Sequence, residues 1–101
     1  MVYLTIHGKQ IPCPDGEIGL YRDEELGRMP LGYGVSAPCD IERVANDMPE
    51  ERALAGARGM LERATRQLAY EHADRLPVQF RTGLANSKQF YGEIVRALEG
   101  K

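Results

Sequence analysis

The chain begins with alternating and β-branched apolar positions and ends with apolar positions at helical spacing. VYLTI (2–6) is β-branched and aromatic, which predicts a strand. His7-Gly8-Lys9 predicts a tight turn, with Gly8 free to take positive φ. Gln10-Ile11-Pro12 then returns as a short second strand. Pro12 and Pro14 have no N–H to give a ladder, so this segment belongs at an edge or in a loop. After the Asp15-Gly16 turn signal, EIGLYR (17–22) predicts another strand and DEELG (23–27) a connecting turn. RMPLGYGV (28–35) is its returning partner, weakened by Pro30, Gly32 and Gly34, with Tyr33 and Val35 on one face.

At Ser36 the pattern changes. SAPCDIERVAND predicts a short helix capped by Ser36 or Asp40, with Ile41 and Val44 on its apolar edge. Asp47-Met48-Pro49-Glu50 reads as the start of a long helix. Asp47 is placed as its N-cap, Pro49 in its first turn and Glu50 as the third residue of a capping box. That helix runs from about Met48 to about Arg75, where Leu76-Pro77 stops it. Leu54, Ala57, Leu61, Ala64 and Leu68 form its buried stripe, with His72 at the end. Val78–Arg81 alternates and predicts one more short strand, and Thr82-Gly83 a turn. Asn86 or Ser87 caps a last helix, and Gln89 completes a box with Asn86. Phe90, Tyr91, Ile94, Val95 and Leu98 give that helix a dense apolar stripe, and Gly100 suits its end.

Strands gathered before helices define an α+β fold. The expected architecture is a small N-terminal antiparallel β-sheet packed against a long central helix and a C-terminal helix. At 101 residues the chain corresponds to one domain, β-rich over 1–35 and mainly helical over 36–101. With 43% apolar residues a real core is available, though alanine contributes little area to it. The start MVYLTIHGK lacks the pattern of a signal peptide, and no apolar run approaches the ~18 residues of a membrane span. A cytoplasmic protein with reduced cysteines and no membrane partner is the resulting expectation.

RALAGARGML (52–61) breaks the helical pattern. Gly56 and Gly59 sit in the predicted helix interior, where each costs roughly 0.8–1 kcal/mol relative to alanine. On a helical wheel they lie opposite the Leu/Ala stripe, in line with Arg52, Arg63, Arg66 and Tyr70. Missing side chains admit a close neighbour, and flanking guanidinium groups can make bidentate contacts. Three readings are open: a packing or dimer seam, an external partner site, or a break in the helix.

Charge sharpens this picture. The net charge of −2 argues against a dedicated nucleic-acid binder. It is unevenly spread, with four basic and ten acidic residues over 1–51 and nine basic and five acidic over 52–101. The halves can attract each other, or the second can carry a basic surface. Metal chemistry is not indicated. Cys13, Cys39, His7 and His72 lack the close pairing that makes zinc signatures specific. Cys39 stands just before a predicted helix start, where a thiolate is favoured, but no CxxC motif accompanies it. No triad, P-loop or dinucleotide fingerprint is present, and PLGYGVSAP lacks the third glycine or the Lys-Ser/Thr of a phosphate loop.

These features read as a small non-catalytic protein-binding or regulatory module, of the accessory-factor or inhibitor type, with a protein or a second copy as partner and no cofactor. The partner surface is placed on Arg52, Gly56, Gly59, Arg63, Arg66 and Tyr70. Two alternatives come from other classes. One is a nucleic-acid-binding protein using the arginine face. The other is a thiol-dependent enzyme using Cys39.

Overall fold

The computed structural model describes residues 2–14, 16, 18–20, 34–69 and 78–100. Their order is β1 (Tyr3–Ile6), β2 (Lys9–Pro12), β3 (Ile18–Leu20), β4 (Gly34–Ser36), α1 (Pro38–Asn46), α2 (Glu50–Leu68) and α3 (Val78–Leu98). The fold is α+β, as its sequence predicts: small antiparallel strand pairs packed with two long helices.

β1 and β2 form a hairpin in which Leu4 pairs with Ile11 and Ile6 with Lys9. The two-residue turn has positive φ at both His7 (49°) and Gly8 (81°). That is the type I′ pattern, whose twist matches the flanking strands. Alternation directs Ile6 and Ile11 into the core, fully buried, and leaves Tyr3, Thr5 and Gln10 outside. β3 and β4 make a second antiparallel pair, with Gly19 opposite Val35. The expected strand 28–35 is thus described only over its last two residues, and the DEELG turn and Tyr33 lie outside the described residues.

Four expectations for the helices are corrected. Asp47 does not cap α2. It closes α1, its N–H bonding the carbonyls of Arg43 (3.1 Å) and Val44 (3.2 Å). Only three residues link the two helices, so Asp47 is used by the first. α2 starts instead from Pro49, without a side-chain cap, and its first bond runs from Ala53 N–H to Pro49 C=O (3.0 Å). Likewise α1 is capped by neither Ser36 nor Asp40. Its N-cap is Ala37, with Pro38 and then Asp40 in the first turn. The third correction is the largest. Val78–Arg81 is not a strand and Thr82-Gly83 not a turn, since both lie in α3. Asn86 and Ser87 are therefore mid-helix rather than caps. A four-residue alternation is too short to outweigh the helical pattern that follows it. α2 ends at Leu68 with Ala69 as its C-cap, short of Arg75. His72 and Leu76-Pro77 lie outside the described residues.

α2 and α3 run antiparallel. Arg58 meets Glu99 through an ion pair at 3.0 Å, and Leu61 Cδ1 lies over Gly92. The core joins Ile6, Ile11 and Ile18 from the strands to Ala53 and Ala57 of α2 and to Phe90, Tyr91, Ile94 and Leu98 of α3. The buried stripe of α2 is rotated from the expected one. Ala53, Ala57, Ala64 and Gln67 are its buried residues, while Leu54, Leu61 and Leu68 are half-buried flanks. Bulk comes from α3, so the small residues of α2 take the centre of the contact.

Ser87 ties the second strand pair to α3. Its buried hydroxyl accepts from the N–H of Gly19 (2.9 Å). Its single proton faces the carbonyls of Gly19 (2.8 Å) and Gly83 (3.0 Å). One side chain thus satisfies both backbone groups on the outer edge of β3, which would otherwise be buried without partners.

Candidate binding face on α2

α2 is one continuous helix through Gly56 and Gly59. The break that two interior glycines allowed does not occur. Helix-favouring neighbours and the alanine face packed on α3 outweigh their propensity cost. At ~100° per residue, Arg52, Gly56, Gly59, Arg63 and Arg66 fall within an arc of roughly 80°. The helix therefore brings these five together as a single stripe, while Tyr70 lies outside the described residues.

The stripe is not uniform. Arg52, Gly56, Gly59 and Arg66 are exposed, but Arg63 is half-buried. Arg63 and Arg66 are both engaged by interactions within the chain. Ala55 and Glu62 border the stripe on its exposed side. Met60, 37% exposed, borders it on the other.

A Cβ added at Gly56 or at Gly59 would meet no atom within 4 Å. Among the described residues, nothing packs close enough to require either glycine. Both have ordinary helical backbone, since the positive φ values among the described glycines occur at Gly8, Gly16 and Gly100. Among the described residues, the two glycines thus lower helix stability without serving packing or a special backbone geometry.

The residues weighed for chemistry are dispersed. Cys39 is exposed in the first turn of α1, and Cys13 is half-buried with its thiol donating to the Pro14 carbonyl at 3.6 Å. His7 serves the fold: its Nε2–H donates to the Ala45 carbonyl (2.7 Å), which fixes that tautomer. Among the described residues, no three potential metal ligands cluster. Among the described residues too, no helix is long and apolar enough to cross a membrane.

Sequence reasoning missed the use to which the structure puts four polar residues. Ser87 ties β3 to α3. Gln67 is fully buried on the inner side of α2. Glu42 and Asn46 of α1 bind the backbone of β1. No sequence signal distinguishes Ser87 and Gln67 from ordinary helical polar residues. The i, i+4 spacing of Glu42 and Asn46 is the sole hint for that pair, because it puts both on one helix face.

Comparison with protein-family models, with curated proteins and with solved structures gives no match.

Proposed function

We propose that this protein is a non-catalytic protein-binding or regulatory module whose recognition surface is the outer stripe of α2. The observation that supports it is the open space over Gly56 and Gly59. Two residues that weaken a helix, on a face that the described residues leave uncovered, are accounted for by a partner that approaches the backbone closely. Local violations of propensity concentrate at functional sites. Exposed Ala55 extends the small-residue surface, Arg52 adds a guanidinium at its N-terminal end and Met60 an adaptable apolar contact.

A foreign partner suits this face better than a second copy. In an antiparallel two-fold pairing centred between Gly56 and Gly59, Arg52 of one chain would stand opposite Arg63 of the other. Like charges directly opposed are destabilising.

The test compares capture by the wild-type protein and by Gly56→Gln/Gly59→Gln, both from the same cell extract. The substitutions fill the gap but remain compatible with a helix. Partners lost with the variant, at unchanged circular dichroism, mark the stripe as the recognition surface. An identical set of partners with both proteins rejects it. Solution mass by light scattering at two salt concentrations separates self-association from foreign binding.

A further inference from the structure

The outer edge of β1 is not free. Thr5 N–H donates to Glu42 Oε2 at 2.7 Å. Asn46 Nδ2 donates to the Thr5 carbonyl at 2.8 Å. His7 N–H donates to Asn46 Oδ1 at 2.8 Å. On the opposite edge β1 pairs with β2, and the ladder continues to the Cys13 N–H bonded to the Val2 carbonyl (2.9 Å). The backbone groups held by α1 are therefore the ones a third strand would take.

Simple geometry lets a helix do this. Outward backbone groups at Thr5 and His7 repeat every ~6.8 Å along a strand. Glu42 and Asn46, four residues apart on a helix, are spaced by ~6 Å. One carboxylate and one carboxamide thus imitate a strand edge. An amide can both donate to a carbonyl and accept from the next N–H, as a peptide group does.

We infer that α1 is a removable edge cover, and that releasing Glu42 and Asn46 opens β1 to antiparallel pairing with β1 of a second copy. The covered segment is self-complementary. Around a two-fold axis at Thr5, each chain's Thr5 N–H meets the other's Thr5 carbonyl. VYLTI carries no charge to repel a second copy, and it is β-branched and aromatic. Val2 and Tyr3 are 68% and 52% exposed beside it, so the strand would bring apolar surface to the contact. Apart from Glu42 and Asn46, the cover is anchored by buried Pro38 and Ala45, by half-buried Ile41 against the core and by the His7 bond to the Ala45 carbonyl. Tight association through main-chain bonds is the hazard that natural edges guard against with polar covers. This inference is independent of the binding face on α2.

The experiment uses Glu42→Ala/Asn46→Ala in the full chain. Hydrogen exchange by NMR at low concentration should accelerate at least tenfold at the Thr5 and His7 amides and remain slow at Leu4 and Ile6, which face β2. Light scattering across rising concentration should show the variant at twice the wild-type mass. Adding Thr5→Pro, which deletes the outward N–H without touching the β2 ladder, should restore the wild-type mass. A variant that keeps the wild-type mass up to millimolar concentration overturns the inference. So does a doubled mass that survives Thr5→Pro, because another surface would then be responsible. If the double variant loses helical circular dichroism, Asn46→Ala alone is measured by the same criteria and decides.

Discussion

The inner and outer faces of α2 are built from similar small residues under opposite conditions. On the inner face Ala53 and Ala57 are buried in a core to which α3 supplies Phe90, Tyr91, Ile94 and Leu98, and Ala64 is buried further along. There a small side chain is required by the space that remains. On the outer face Ala55, Gly56 and Gly59 look into open surroundings. There small size is required by nothing among the described residues. Composition alone does not separate these cases, because an alanine in a tight seam and a glycine on a bare surface read alike in sequence. The neighbour across the gap decides what each one does.

The contrast breaks most sharply when bulk is added to each face in turn. Ala57→Leu should destabilise the fold by about 1–3 kcal/mol, since the added carbons enter a filled core. Ala55→Leu should change stability by no more than about 0.5 kcal/mol. Urea unfolding of both variants checks the pair, and equal losses would remove the distinction between the faces.

Filling the outer glycines with alanine should do the reverse. Gly56→Ala and Gly59→Ala should each raise stability by about 0.8–1 kcal/mol. Thermal melts would show a gain for each substitution. A loss at either position would mean that a neighbour does reach that site.

The smallest effect concerns how well the inner contact is sealed. Burial pushes the Tyr91 phenol above its ordinary value of 10.0. Its neutral form is favoured in the folded state, so this contribution is fully present below pH 10. It is lost as pH rises through the raised value, because the unfolded chain releases the proton first. Unfolding midpoints at pH 8 and pH 11 should therefore fall less for Tyr91→Phe than for the wild type. Identical pH dependence would place the Tyr91 hydroxyl in contact with water.

The elements whose residues carry local instructions were legible in the sequence. The first hairpin followed from VYLTI, His7-Gly8 and the returning Ile11. α1, α2 and the body of α3 followed from periodicity. Caps were not legible where two elements compete for one residue, and Asp47 went to the end of α1 because the linker is too short to serve both helices. The start of α3 was hidden by a short alternation, Val78–Arg81, which folds as the first turn of the helix. For the candidate face, the sequence gathered Arg52, Gly56, Gly59, Arg63 and Arg66 correctly into one stripe, since helical angle depends only on spacing. It did not reveal that Arg63 is half-buried, because that depends on what packs beside α2.

By itself, then, the sequence determined the α+β class, the hairpin and the identity of the long helices. These depend on φ preferences and on periods of two and 3.6 that act within a few residues. Only the tertiary structure decided that alanines rather than leucines occupy the centre of the α2–α3 contact. Only it joined Ser87 to β3 and closed the edge of β1 with Glu42 and Asn46. Those arrangements link residues distant in sequence, and the preference of each side chain for its partner exists only once folding has brought the two together.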